Sequence, residues 1–163
     1  MKVVIVSDTH RKNQSFFRVV EAEQPDMVIH CGDSEGSEYA LTEGVSCPVH
    51  LVMGNCDSYS MGLPKEMMVE IGPYMAWVVH GHTYCANLGS RVLKAMAAEK
   101  GADIVFYGHT HIPEIELDGD VIAVNPGSLS YPRQAGRVPS YCVMTLNERQ
   151  EAGFEIKYIE EKE

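Results

Sequence analysis

Five short polar motifs carry the side chains that could do chemistry. They are Ser7-Asp8-Thr9-His10, His30-Cys31-Gly32-Asp33, Gly54-Asn55-Cys56-Asp57, His80-Gly81-His82 and Gly108-His109-Thr110-His111, and each follows a short apolar run. All contain Asp, Asn or His, the oxygen and nitrogen donors that suit first-row divalent metal ions. In an extended segment residues i and i+2 point the same way. On that reading Asp8 with His10, and His109 with His111, each aim two donors at one place. A single Asp-x-His pair is a weak signal, whereas five donor-bearing motifs in series are a strong one.

Other residues divide between chemistry and packing. His30 and His50 lie inside apolar runs and read as packed or hydrogen-bonded core histidines, with support of a ligand as a second role for His30. His82 divides between facing substrate and holding structure, and Asp57 between orienting the loop and stabilising a turn. Cys31 reads as a small buried residue. Arg11, Arg133 and Arg137 offer forks that match phosphate oxygens, although exposed arginines are common without that role. Asn125-Pro126-Gly127-Ser128 follows a strand and is expected beside the site, while Met61, Met67, Met68 and Met75 read as core or dimer contacts.

The elements that must position these motifs are short. Val3–Val6, Met27–Ile29, His50–Met53, Met67–Ile71, Met75–Val79 and Ile104–Tyr107 read as strands, with Gly72-Pro73 as a turn between two of them. Phe16, Val19 and Val20 predict a helix over 12–23. A second helix is expected over 87–100, with Leu88, Val92, Ala95 and Met96 on its apolar face and Gly101 ending it. Asp118-Gly119-Asp120 between Glu114–Leu117 and Val121–Val124 is a hairpin signal. Two further strands, Tyr141–Leu146 and Phe154–Ile159, close the chain. A mixed α/β domain follows, with two packed sheets and helices outside. Sites in open α/β sheets form at the carboxyl ends of strands, so the five motifs should meet on one edge.

Bulk properties narrow the function. The 163 residues suit one domain, 1–163, with one core. The formal charge of −10 argues against nucleic-acid binding, which needs clustered Lys and Arg. An acidic protein that handles phosphate must create positive charge locally, and metal ions do so. No apolar run approaches the ~20 residues of a membrane span. The first apolar run is too short for a signal peptide. The five cysteines are odd in number, irregularly spaced and without a Cys-x-x-Cys pair, so neither a zinc knuckle nor a disulfide framework is expected. A cytoplasmic location is the expectation.

Taken in order, Asp-x-His, Gly-Asp, Gly-Asn-x-Asp, His-Gly-His and Gly-His-Thr-His resemble the calcineurin-like metallophosphoesterase superfamily. The short length, the cysteine in Gly54-Asn55-Cys56-Asp57 and the later Asn125-Pro126-Gly127-Ser128 are similar to its small prokaryotic phosphodiesterase branch, the YfcE-like proteins. The resemblance implies a four-layer α-β-β-α sandwich, with two mixed β-sheets face to face. It implies two divalent ions, Mn²⁺ first, with Fe, Ni, Co or Zn also compatible with such ligands. One ion would sit on Asp8, His10, Asp33 and His111, the other on Asp33, Asn55, His80 and His109, with Asp33 bridging. The preference for His80 over His82 comes from the resemblance, since spacing leaves both open. Two ions less the charges of Asp8 and Asp33 leave about +2 for phosphate and hydroxide. The implied activity is hydrolysis of a small-molecule phosphodiester. A phosphomonoesterase or nucleotidase on the same site, and a non-catalytic scaffold like Vps29, are the alternatives. A homodimer is compatible with the family. Asn55, Cys56, Asp57 and His82 are the candidate catalytic neighbours. In the wider superfamily a histidine takes the place of Cys56 and assists the leaving group. A cysteine, acidified by nearby cations, would be a poor acid there, so leaving groups that need no proton should be preferred unless His82 is the acid.

Overall fold

The computed structural model describes residues 1–58 and 62–159, which leaves Met61 outside the described residues. The order is β1 (Lys2–Val6), α1 (Asn13–Glu23), β2 (Met27–His30), α2 (Glu38–Glu43), β3 (Val49–Leu51), β4 (Glu66–Ile71), β5 (Tyr74–Val79), α3 (Arg91–Glu99), β6 (Ile104–Phe106), β7 (Pro113–Glu116), β8 (Ile122–Pro126), β9 (Ser140–Leu146) and β10 (Ala152–Tyr158). Two mixed sheets form, in the orders β10-β9-β1-β2-β3 and β4-β5-β6-β8-β7. In the first, β1, β2 and β3 run parallel; in the second, β5, β6 and β8 do.

Alternation along β1 builds the layers. Val3 and Ile5 enter a core between the sheets with Ile29, Val78, Ile104, Phe106 and Met144. Val4 and Val6 point the other way, onto Phe16, Val19 and Val20 of α1 and Leu41 of α2. The second sheet turns Trp77, Val79, Val105 and Tyr107 outward onto Leu93 and Ala97 of α3. Both faces of each sheet are thus covered. That is why the strands read as continuous apolar runs, and the result is the four-layer arrangement.

Several sequence expectations shift. The 87–100 helix begins only at Arg91, because Gly89 takes φ +103° and breaks the chain after two short 3₁₀ turns at His82–Tyr84 and Ala86–Leu88. Its buried stripe is Leu93 and Ala97; Leu88 is 88% exposed and Val92 47% exposed, and Ala95 also faces outward. The apolar residues allowed two stripes, and packing against β6 and β8 selected the other one. Helix α2 was not anticipated; its six residues bury only Leu41. The Asp118-Gly119-Asp120 hairpin is present, with β7 antiparallel to β8. His30 is fully buried as expected, whereas His50 is only half-buried. Of the methionines, Met67 packs against the central core and Met68 is exposed.

Candidate metal centre

Register brings the motifs together. Val6 pairs with His30 and His30 with Leu51, so β1, β2 and β3 end side by side; β5 and β6 end together through Val78 and Phe106. The edge is therefore shared by two sheets, not provided by one open sheet. Cross-sheet bonds lock it: His80 Nδ1 donates to the Cys31 carbonyl at 2.7 Å, and the His109 amide donates to Asp8 Oδ2 at 3.2 Å. The Asn125–Ser128 turn braces the same place. Asn125 Nδ2 donates to the Gly108 carbonyl, and the Ser128 and Ser130 hydroxyls donate to the Asp8 carbonyl.

The motif backbones are not extended. Asp8, His10, Asp33, His109 and His111 all have φ between 43° and 69°. Left-handed residues that are not glycine are uncommon, although Asp and His tolerate the region best, and such strain gathers at functional sites. The i, i+2 argument thus fails on conformation. His10 still meets Asp8, at 3.7 Å. His109 and His111 diverge: His111 reaches Asp8 while His109 lies beside His80. Close approach demands glycine at two points. A Cβ on Gly54 would collide with the Asp33 carboxylate, and one on Gly108 with the Ser7 hydroxyl.

Asp8, His10 and His111 form one donor group, and Asp8, Asp33 and His80 another. His111 Nε2 lies 3.0 Å from Asp8 Oδ1. Asp8 is common to both groups, and Asp33 Oδ2 reaches toward both, 3.8 Å from His10 Nε2 and 3.4 Å from His80 Nε2. Its other oxygen accepts the Cys56 amide at 2.8 Å. Three histidines are held by Nδ1: His10 to Glu35 Oε1 at 2.6 Å, His80 to the Cys31 carbonyl, and His111 to the Tyr131 carbonyl at 2.7 Å. An Nδ1–H held in this way leaves the Nε2 lone pair inward, as metal-ligating histidines require. Asn55 Oδ1 comes within 3.0 Å of His80 Nε2, oxygen facing nitrogen.

Metal ions fit this donor set. Asp8 Oδ1 and His10 Nε2 are buried and have no hydrogen-bond partner, and buried polar atoms left so call for an explanation such as an ion. Protonation tells the same story. Burial opposes the charge on Asp8, but His10 and His111 beside it outweigh burial and hold the carboxyl well below the usual range. Burial disfavours the imidazolium of His10, yet Asp8 and Glu35 push it up to about 9. Burial likewise opposes His80, and Asp33 and Asp8 raise it. The cluster attracts positive charge even though it is buried.

The remaining expected residues take distinct places. His109 stands further out, with Nε2 3.1 Å from Asn87 Nδ2 and its ring 5.2 Å from that of His80. His82 is exposed, its ring 5.4 Å from His80; burial, then the charge of His80, lowers its pKa. Asp57 is buried and accepts from the amides of Gly54, Asp33 and Glu35 and from Ser34 Oγ. With four donors on it, it positions the loop that carries Asp33. Cys56 is half-buried, and burial and then the nearby Asp33 carboxylate push its thiol up to about 12. Arg11 is spent on the Glu35 carbonyl, and Arg133 and Arg137 are exposed. His30 holds Thr9 Oγ1 at 3.0 Å, and burial lowers it to about 4, so it stays neutral. Sequence reading missed Glu35 and Tyr131. Glu35 orients His10, and the Tyr131 ring lies edge-on to it at 5.2 Å. Only the position of Glu35 two residues after Asp33 hinted at it.

Residues 1–149 match the calcineurin-like phosphoesterase superfamily domain. The chain belongs to that superfamily. It is 32% identical over 149 residues to the probable metallophosphoesterase YsnB of Bacillus subtilis, covering 90% of this chain and 85% of that protein. It is 29% identical to the phosphodiesterase YfcE of Escherichia coli, covering 86% and 85%. A crystal structure of a predicted phosphoesterase from Streptococcus pneumoniae superposes with TM-score 0.79 at 28% identity over 96% and 97% of the two chains. Zinc-complexed Vps29 of Entamoeba histolytica, at 21% identity and TM-score 0.76 over 97% and 99%, shares the fold. The chain is a metal-dependent phosphoric ester hydrolase, a YfcE-related phosphoesterase.

Proposed function

We propose that the protein hydrolyses phosphodiesters of small molecules at a two-ion centre, with Asp8, His10, Asp33 and His111 holding one ion and Asp33, Asn55, His80 and His109 the other. The approach of Asp33 Oδ2 to both His10 Nε2 and His80 Nε2 carries this reading. Bound divalent ions lower the pKa of water toward ~7 and offset phosphoryl charge. The chain's own residues do the rest. Glu35, Cys31 and Tyr131 fix three imidazoles in the ligating orientation, and Asp57 holds the loops of Asp33 and Asn55 in register. Cys56 and His82 flank the centre as the groups nearest a leaving oxygen.

The diester preference rests on charge. A monoester brings a second negative charge, and of the arginines that could meet it Arg11 serves Glu35, while Arg133 and Arg137 stand exposed. A non-catalytic scaffold has no need of all seven donors Asp8, His10, Asp33, Asn55, His80, His109 and His111, and none is missing. We further propose Mn²⁺ as the working ion, with Fe, Ni, Co or Zn as substitutes, and a cytoplasmic protein in which residues 1–163 act as one unit, alone or as a homodimer, without nucleic-acid binding. Among the described residues no helix is long and apolar enough to cross a membrane. The test is a panel of diesters and monoesters assayed on stripped enzyme with each metal added. Chelation should abolish activity, Mn²⁺ should restore it, and diesters should be turned over faster. Full activity in protein shown to be metal-free by elemental analysis would overturn the proposal.

A further inference from the structure

The strand ends that supply the second donor group also wall a hollow of about 300 Å³. Met53 lies two residues before Asn55, and Val79 immediately precedes His80; both line it, together with Lys65, Glu66, His82, Thr83 and Tyr84. His82 lines the hollow and its ring lies 5.4 Å from that of His80, which puts the hollow beside the centre. Its chemistry is uneven. Met53 and Val79 give an apolar surface and Tyr84 an aromatic wall. That wall is held in place, because Glu66 accepts from the Tyr84 hydroxyl and Trp77 Nε1 at 3.1 Å and from Lys100 Nζ at 2.9 Å. Glu66 thus has its charge already met. Lys65 is exposed and makes no ion pair among the described residues, leaving one uncompensated cation at the hollow in a chain of net charge −10.

Resting on the phosphodiesterase reading, we infer that this hollow receives one ester group of the substrate, a ring-bearing group of aryl or nucleobase size with an anionic substituent directed to Lys65. An apolar pocket with few convergent polar groups is the usual composition of a small-molecule site. The ring lies against Met53 and Tyr84, and the phosphoryl group then falls at the donor groups beyond His82. The chemical class follows from the lining: flat and apolar at the centre, negative at the edge.

Trp77 provides the readout. It is the only tryptophan, and its ring packs edge-on against Tyr84 at 5.2 Å. A nitroaryl group in the hollow should quench its fluorescence. The probes are 4-nitrobenzylphosphonate, its ring-carboxylated analogue and methylphosphonate, added to the Mn²⁺-loaded protein. Saturable quenching is expected with both aryl probes, tighter for the carboxylate by about two- to fivefold, as suits an ion pair with an exposed lysine. Lys65→Glu should reverse that order, and Met53→Phe should weaken the aryl probes while sparing methylphosphonate, followed by calorimetry. Unaltered binding of all three in both variants, or no quenching in the wild type, overturns the inference. Failure of the function reading looks different: the wild type, fully loaded, would bind and quench yet turn over no diester.

Discussion

Two buried carboxylates lie near opposite ends of β1 and are treated in opposite ways. Near its start, Glu23 accepts from Tyr141 Oη and Lys157 Nζ at 2.9 Å and from Lys2 Nζ at 3.2 Å. Just past its end, Asp8 takes the His109 amide on Oδ2, while its Oδ1 lies 3.0 Å from His111 Nε2 with no hydrogen-bond donor directed at it. The first arrangement ties α1 to the sheet and closes its charge. The second sits on left-handed backbone and leaves lone pairs directed at a common space. One strand thus carries a stabilising device at one end and a binding device at the other. Removing charge at one end should cost stability, and at the other it should cost function.

Asp33→Asn should break the binding end most completely. Activity should fall by more than the ~10–100-fold typical of outer-sphere partners, with a modest fall in thermal stability, because His80 and the Cys56 amide favour the Asp33 charge against burial. Arg133→Ala, assayed alongside, should stay within a few-fold of wild type. Equal losses in the two folded variants would remove the bridging role of Asp33. Asp57→Asn comes next. It weakens four donors' shared acceptor without touching a ligand atom, so metal affinity should drop ~10–100-fold, as measured by titration of the stripped protein. An unchanged affinity would reduce Asp57 to a turn residue.

Cys56→His should act more narrowly. Rates for esters with poor leaving groups should rise about tenfold, short of the ~10²–10⁴ of a well-placed general acid, and good leaving groups should be unaffected. The same dependence of rate on leaving-group pKa in both forms, at equal metal content, would assign the proton to another group such as His82. Glu23→Gln should leave turnover alone and destabilise the fold by about 1–2 kcal/mol, below the full ~1.5–3 for hydrogen bonds to a charged group because Lys2 and Lys157 are partly screened by solvent. The pH dependence has a definite sign. Burial opposes the Glu23 charge, but Lys157, Tyr141 and Lys2 outweigh it and keep the carboxyl below its usual range. Its contribution is therefore complete above the unfolded value of ~4.3 and is lost as pH falls through the lower folded value. The gap in Tm between wild type and variant should close on acidification; a gap constant down to pH ~2 would contradict the pairing.

The sequence by itself determined the inventory: which side chains could ligate a metal, that each follows a strand, and that the strands are covered on both faces. These are local properties. Alternation with period 2, β-branched runs and donor chemistry are all readable within a few residues. The tertiary structure decided the rest. It divided the motif-bearing strands between two sheets, turned α3 onto Leu93 and Ala97 instead of Leu88 and Val92, and forced Asp8, His10, Asp33, His109 and His111 into left-handed backbone. It also recruited Glu35 and Tyr131, neither of which has a distinctive motif. Their roles depend on contacts between distant segments, such as Asp8 with the His109 amide across 101 positions of chain. No local periodicity encodes such a contact, because its geometry exists only once both sheets have packed.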